Sequence, residues 1–166
     1  AVEAKDVKEE FGSTVKCILD GGKCNIGLES TIINLTKKPT ILRLGGLDVL
    51  KIEKVLGKKI ALDINPKIRN SPGQSRLHYS PGIPLKTNIK NPKKDEAFIL
   101  IKKRRISSNN YYYISKKNDL NEAAKNLYSC LRKIKNNGYK SIAVEKVPNK
   151  GLGKTINDRL NRASKY

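Results

Sequence analysis

The chain has 166 residues, of which 37% are hydrophobic and 5% aromatic, and it contains no Trp and no Met. This size and composition fit one ordinary domain or two small ones with a modest core. Lys and Arg number 35 against 15 Asp and Glu, which gives a formal net charge of +20. No apolar stretch approaches the roughly 18 residues of a membrane span, and no apolar signal segment is visible at the N-terminus. We therefore expect neither an integral membrane protein nor a secretory signal.

The high positive charge has two interpretations. It favours a nucleic-acid partner, because each phosphate neutralised by Lys or Arg releases a counterion. The lysines, however, accompany many Asn and Ile residues, as in 88–91 and 133–137, and an AT-rich coding sequence gives that combination without any such partner. The densest run, residues 102–105, is more typical of a solvated strand end than of a docking patch. Both interpretations stay open.

The three cysteines predict a reducing compartment. Cys17, Cys24 and Cys130 fit no zinc-binding spacing, and an odd number gives no disulfide framework. Since free thiols persist in the cytoplasm, we expect a cytoplasmic protein.

Residues 1–62 alternate between helical and extended patterns. The predicted elements in chain order are a helix over 4–11, a short strand over 15–19, two adjacent strands over 29–35 and 40–44, and a helix over 48–56. Gly12 and Gly57 follow the two helices, where glycine readily adopts the backbone conformation of a helix C-terminus.

Residues 63–94 are predicted to form an extended connector. Five prolines exclude a continuous helix or a central strand there: Pro66, Pro72, Pro81, Pro84 and Pro92. A structureless segment of this length is usually either functional or disordered. His78, the only histidine, lies in this connector, and we predict a structural or ligand-covering role for it rather than general-base catalysis.

Residues 95–166 read as a second α/β unit. Strands are predicted over 97–101, 111–114 and 141–144. Asp119 and Glu122 have the spacing of a capping box and begin a helix that ends near Gly138. A last helix carries an apolar stripe made of Leu152, Ile156, Leu160 and Ala163. Alternating strands and helices favour a parallel sheet covered by helices.

A glycine-rich stretch, residues 151–155, follows a strand and opens a helix, as phosphate-binding loops do. Pro148 and Ile156 occupy the positions where the P-loop and dinucleotide fingerprints need glycine, so both motifs fail. The free N–H groups of the helix N-terminus still offer a weak attraction for an anion.

The more specific polar group lies at the predicted start of the 29–35 strand. Glu29, Ser30 and Thr31 supply two hydroxyls and a carboxylate that suit a small polar ligand. Arg43 lies on the predicted neighbouring strand among apolar residues, where a guanidinium needs a phosphate or carboxylate partner. A surface-facing arginine on an alternating strand explains its position equally well.

Several ordered motifs resemble the YrdC/Sua5 family, the L-threonylcarbamoyladenylate synthases. The motifs of the first half are Ile18-Leu19-Asp20-Gly21-Gly22, Gly27-x-Glu29-Ser30-Thr31, Ile41-Leu42-Arg43-x-Gly45-Gly46, Ile52-Glu53-x-Val55-Leu56-Gly57 and Ser71-Pro72-Gly73…His78-Tyr79-Ser80-Pro81. Those of the last part are Val144-Glu145-x-Val147-Pro148, Gly151-Leu152-Gly153 and Ile156-x-Asp158-Arg159-Leu160-x-Arg162-Ala163. The resemblance spans nearly the whole chain.

The resemblance implies an α/β fold in three parts. Residues 1–62 would be the C-terminal part of a YrdC-like catalytic domain with a partial twisted sheet and helices. Residues 63–94 would be a proline-rich linker that covers the active site, and residues 95–166 a small Rossmann-like Sua5 domain.

The implied activity is nucleotidyl transfer, with L-threonine, bicarbonate and ATP as substrates and Mg²⁺ assistance. Threonine and bicarbonate would form a carbamate, which ATP adenylates as pyrophosphate leaves, and the product would serve the modification of tRNA adenosine 37. Ser30 resembles the threonine-contacting serine of the family. Arg43 and Tyr79 resemble its ATP-contacting arginine and the aromatic linker residue that covers the nucleotide. No residue of the chain is assigned as a catalytic acid or base, and no residue is assigned as a metal ligand.

The family's N-terminal half, with its nucleotide-gripping Lys-x-Arg element, has no counterpart in these residues. We therefore expect that this chain alone is an impaired enzyme. Its expected partners are that missing half, a tRNA or tRNA-modification proteins. Two rival hypotheses are a basic RNA-binding module and an inactive remnant.

Overall fold

A computed structural model describes residues 1–36, 38–64, 66, 71–72 and 79–165. Its elements are α1 (Ala4–Phe11), β1 (Ile32–Asn34), β2 (Thr40–Arg43), α2 (Val49–Leu56), β3 (Ala61–Leu62), β4 (Leu85–Lys86), β5 (Ala97–Leu100), β6 (Tyr111–Tyr113), α3 (Leu120–Asn136), β7 (Ile142–Val144) and α4 (Leu152–Ala163). The α/β fold is therefore confirmed. None of the helices in these described ranges is long and apolar enough to cross a membrane.

The first sheet has three strands in the order β1-β2-β3. β1 and β2 are neighbours, as predicted, and the structure shows that they are antiparallel; β3 adds a parallel strand on the other side of β2. A small core lies under this sheet, formed by Ile41, Leu44, Val49, Ile52 and Ile60. Asp48 caps α2 by accepting from the N–H of Leu50, and Gly57 ends the helix with a φ of 63°.

The second sheet has four parallel strands in the order β4-β7-β5-β6. Helices α3 and α4 contact each other and cover one face, where the main core lies. All four residues of β5 are fully buried, because Phe98 and Leu100 pack on the opposite face with Tyr111 and Tyr113. This burial on both faces explains why 97–101 is a continuous apolar run.

The connector contributes to the second sheet. β4 is an edge strand and lies within the predicted connector, so it is consistent with the proline argument against a central strand. The division at residues 62 and 94 stays a prediction. One predicted element is wrong: residues 15–19 form no strand, and Leu19 is 90% exposed. A strand needs a hydrogen-bonding neighbour, and none of the ladders in the described residues reaches this segment.

The N-terminal segment is fastened to the second α/β unit. Asp6 of α1 is buried, and its Oδ2 accepts hydrogen bonds from the N–H of Val2 at 2.7 Å and from Arg132 Nη2 of α3 at 2.7 Å. Burial would raise the pKa of the Asp6 carboxyl, but these hydrogen bonds and the charge of Arg132 hold it below its ordinary value. Gly27 fixes a second contact, since a Cβ there would lie 2.6 Å from the Lys125 Cα atom.

Substituting Asp6→Asn removes the charge that neutralises Arg132 while keeping the side-chain shape. We expect the free energy of unfolding, measured by urea denaturation at neutral pH, to fall by about 2 kcal/mol. The control is Glu10→Gln on the same helix, whose side chain is 54% exposed and whose ion pair with the N-terminus spans 3.8 Å. Equal stabilities of the two variants would contradict a structural role for the Asp6–Arg132 pair.

Candidate functional site

The register of β1 and β2 brings Ser30 and Arg43 together. Ile32 lies opposite Arg43, so the arginine side chain reaches the residues just before β1. Arg43 donates from Nε to the Ser30 carbonyl oxygen at 3.0 Å and from Nη2 to Ser30 Oγ at 3.0 Å. Its Nη1 lies 3.5 Å from the Pro72 carbonyl oxygen in the connector. The two predicted ligand-contacting side chains are therefore in direct contact.

Gly45 makes this close approach of β2 and the 29–31 segment possible. A Cβ at this position would lie 2.2 Å from the Thr31 backbone nitrogen, closer than any side chain allows. The next residue, Gly46, donates its N–H to the Glu29 carbonyl oxygen at 2.8 Å. Gly45 and Gly46 thus allow the two backbone segments to pack closely, and this packing fixes the position of the Ser30 segment.

Tyr79 leaves the connector and inserts between two side chains of the second α/β unit. Its ring stacks on that of Tyr128 at a centroid distance of 5.9 Å, and the Arg159 guanidinium lies 4.5 Å from its centroid. Its φ is 66°, a left-handed conformation that a non-glycine residue keeps only where its surroundings hold it. Burial raises the pKa of the Tyr79 phenol, while the charges of Arg159 and Arg43 oppose that shift.

Glu29 connects the Ser30 segment to the same group. Its carboxylate accepts from the Tyr128 hydroxyl at 3.2 Å and from Arg159 Nε at 3.1 Å. Burial would raise the pKa of the Glu29 carboxyl, but the charge of Arg159 and these hydrogen bonds hold it below its ordinary value of 4.5. Burial also raises the pKa of the Tyr128 phenol strongly, and the neighbouring Glu29 charge adds to the shift. Glu29 is therefore ionised and Tyr128 neutral at pH 7.

Arg159 of α4 is 1% exposed and is the centre of this group. Besides Glu29 and Tyr79, its Nη2 donates to the Leu44 carbonyl oxygen at 2.7 Å. Its Nη1 donates to Asp158 Oδ2 at 2.6 Å. We call Glu29, Tyr79, Tyr128, Asp158 and Arg159 the arginine cluster. It lies directly beside the Ser30–Arg43 pair.

A cavity of about 630 Å³ adjoins the arginine cluster on the side of α1 and α3. Glu29, Tyr79 and Tyr128 form one wall, and the lining contains neither Ser30 nor Arg43. The cavity therefore shares Tyr79 with the predicted ligand-contacting residues, whereas the Ser30–Arg43 pair lies outside its lining.

Two protein-family models match the chain and show its family. A model described as "Threonylcarbamoyl-AMP synthase, C-terminal domain" matches residues 47–165, which is well over half of the sequence. A second model, described as "Telomere recombination" and shared by Sua5, YciO and YrdC, matches residues 1–45. The chain belongs to the YrdC/Sua5 family. The boundary between the matches falls just after Gly45, within the segment that joins β2 to α2.

Curated relatives and solved structures agree with this family assignment. The threonylcarbamoyl-AMP synthase of Pyrococcus abyssi is 34% identical over 98% of this chain and 53% of its own length. The Bacillus subtilis enzyme of the same name is 28% identical over 98% of this chain and 52% of its own length. A crystal structure of P. abyssi Sua5 complexed with L-threonine superposes with a TM-score of 0.84 at 30% identity, covering 99% of this chain and 54% of that one. The chain spans about half the length of the curated relatives it matches.

In this Sua5-family chain, the predicted site residues Ser30 and Arg43 are in direct contact, and Tyr79 lies against Arg159, which also binds Glu29 next to Ser30. The roles of the three residues stay predictions. His78 lies outside the described residues. The glycine-rich stretch of residues 151–155 serves packing: a Cβ on Gly153 would lie 1.9 Å from the Pro148 carbonyl oxygen. Thr155 of the same stretch donates to the Gly45 carbonyl oxygen at 3.0 Å.

Sequence reasoning gave no role to Tyr128 or Arg159. A signal for Arg159 is present, since it lies three residues after Ile156 and four before Ala163, both on the apolar stripe of α4. A charged residue at core spacing indicates a buried ion pair, but its partner lies 130 residues away at Glu29 and has no local signature.

Glu29→Gln tests the charge of the arginine cluster. Because the folded-state pKa of Glu29 lies below 4.5, its ionised form stabilises the fold fully above that value and less as the pH falls through the folded-state pKa. The variant should therefore be less stable than wild type at pH 7, and the difference should shrink towards about pH 3. Urea unfolding at both pH values measures this, with the exposed Glu10→Gln as control. A pH-independent difference would argue against an ionised Glu29 beside Arg159.

Proposed function

We propose that this chain is the part of a threonylcarbamoyl-AMP synthase that holds L-threonine and the ATP phosphates. The direct contact of Arg43 with Ser30 carries the proposal. Ser30 Oγ accepts from Arg43, so its own hydrogen remains for an acceptor such as the threonine carboxylate or hydroxyl. The resemblance of Ser30 to the threonine-contacting serine of the family, and the solved P. abyssi Sua5–threonine complex, support this use.

Arg43 suits the ATP side of the reaction. Its contacts with Ser30 and Pro72 leave further N–H donors on both terminal nitrogens, which match the oxygens of a phosphate. A fixed cation stabilises the negative charge that develops as pyrophosphate leaves, and it needs no reorganisation during the step. Tyr79, held beside this pair, would cover the nucleotide and exclude water that would hydrolyse an acyl-adenylate.

The proposed reaction needs positioning more than acid–base chemistry. The threonine nitrogen attacks the carbon of bicarbonate, water leaves, and a carbamate forms. A carbamate oxygen then attacks the α-phosphorus of ATP, the bond to the β-phosphate bridging oxygen breaks, and pyrophosphate departs. Orienting two charged reactants is the main task, and it suits an arginine, a hydroxyl and a covering aromatic ring.

Mg²⁺ belongs to this proposal as a companion of ATP. The described residues contain no group of three or more His, Cys, Asp or Glu that could hold a metal ion. The two carboxylates of the arginine cluster, Glu29 and Asp158, are both occupied by arginine N–H groups, so they do not fit the ion. Phosphate oxygens and water are its usual ligands at such sites.

The binding roles are tested on the chain by isothermal titration calorimetry. Arg43→Met should weaken ATP binding by at least about tenfold, the effect of losing one charge-assisted hydrogen bond. Ser30→Ala should weaken L-threonine binding more than ATP binding. Lys58→Met removes an exposed positive charge beyond α2 and should leave both affinities unchanged. If wild type bound neither ligand, or if Arg43→Met bound ATP as wild type does, the proposal would be wrong.

A second candidate function, RNA binding, rests on a separate observation. Lys102 and Lys117 form an antiparallel bridge, and the N–H of Lys103 donates to the Lys116 carbonyl oxygen at 3.1 Å. We call these four exposed residues the lysine bridge. Like charges placed opposite each other repel, so an anionic partner would stabilise the arrangement. The bridge follows the carboxyl ends of β5 and β6, the edge where parallel α/β sheets bind ligands.

Salt dependence separates RNA binding from the synthase substrates. Affinity for a single-stranded RNA should fall steeply with salt, and alanine at all four lysine-bridge positions should reduce the log–log slope by roughly 3. Alanine at four lysines on and after α2, Lys51, Lys54, Lys58 and Lys59, makes the same charge change elsewhere. Fluorescence anisotropy measures both. Equal losses from the two quadruple variants would show that only net charge matters and would remove this candidate.

A further inference from the structure

Arg159 contacts Tyr79 directly, and it contacts the residues next to Ser30 and Arg43 in the sequence. It binds Glu29, which precedes Ser30, through Nε at 3.1 Å. It binds the carbonyl oxygen of Leu44, which follows Arg43, through Nη2 at 2.7 Å. It lies against the ring of Tyr79 itself. One side chain of α4 thus connects three segments that are far apart in sequence.

We infer that Arg159 is the positioning residue that sets Ser30, Arg43 and Tyr79 in register with one another. The inference rests on the proposed function, and it assigns a task to the C-terminal domain. The domain would supply, from α4, the group that holds the connector tyrosine beside the Ser30–Arg43 pair. Arg159 itself is buried and reaches the ligands only through the residues it holds.

Geometry explains why arginine is needed at this position. A guanidinium presents donors in three in-plane directions and a flat face, and Arg159 uses all of these at once. Nε and the two terminal nitrogens bind Glu29, Leu44 and Asp158. The flat face receives the aromatic ring of Tyr79. A lysine offers the charge but neither the planar fork nor the flat face.

The charge balance around Arg159 favours a single arrangement. Two carboxylates, Glu29 and Asp158, offset the charge of Arg159, and Asp158 also pairs with Arg162. Removing Arg159 would leave the partly buried Glu29 without its cation and would release one wall of the Tyr79 site. Tyr79 would then lose the contact that offsets its left-handed backbone. Loss of Arg159 therefore affects the threonine side and the ATP side together.

Thr155→Val is the matched control. Thr155 lies on the same helix and is also buried, and it donates to the carbonyl oxygen of Gly45, next to Leu44. The substitution preserves shape and removes one hydrogen bond across the same interface. It leaves every contact of Arg159 in place, so it separates loss of interface stability from loss of positioning.

Two measurements on the chain test the inference. By calorimetry, Arg159→Met should weaken ATP and L-threonine binding together, each by at least about tenfold, whereas Thr155→Val should change neither by more than about twofold. Arg159→Lys keeps the charge but not the planar fork, so it should lose most of the ATP and L-threonine affinity that Arg159→Met loses. If far-ultraviolet circular dichroism shows that Arg159→Met is unfolded, Arg159→Lys is used in its place.

The second measurement needs no ligand. In tyrosine-labelled protein, nuclear Overhauser contacts between the Tyr79 and Tyr128 rings, assigned with Tyr79→Leu, should be present in wild type and Thr155→Val and lost in both Arg159 variants. Retention of these contacts in the Arg159 variants, or an equal loss of ligand affinity in Thr155→Val, would overturn the inference. If wild type bound neither ligand but the ring contacts depended on Arg159, the proposed function would be wrong while the positioning of Tyr79 would stand.

Discussion

The buried guanidinium of Arg159 constrains more of this structure than any other side chain described. A charge with 1% exposure needs partners for its N–H donors, and those partners come from the Ser30 segment, the end of β2 and its own helix. Tyr79 of the connector completes the shell on the flat face. The chain reaches this arrangement only when α4 lies against the segment that follows β2, so the packing of α4 also sets the geometry of the site.

Further contacts join the three parts into which the sequence is predicted to divide. Gly27 packs on the backbone of α3, Asp6 pairs with Arg132, and β4 of the connector joins the second sheet. Each contact connects residues that sequence reasoning placed in different parts. The family boundary near residue 46 also falls next to the segment that α4 contacts, between Gly45 and α2, rather than in an exposed linker.

Positive charge occurs in two different arrangements in this molecule. The arginines near the site are directed: Arg43 and Arg159 each bind named oxygens at about 3 Å or less. The lysine bridge places like charges side by side on the surface, where backbone hydrogen bonds join its two segments. A net charge of +20 includes both groups, so composition alone does not distinguish the arginines near the site from the lysine bridge.

The sequence by itself determined the α/β class, the helix limits, the parallel second sheet and the adjacency of the 29–35 and 40–44 segments. These follow from periodicity, caps and register, which act over a few residues. Only tertiary structure decided that residues 15–19 form no strand, that Tyr79 lies between Tyr128 and Arg159, and that Arg159 binds Glu29. A strand requires a neighbouring strand, and the partner of Arg159 lies 130 residues away at Glu29, so the sequence around each residue does not reveal its partner.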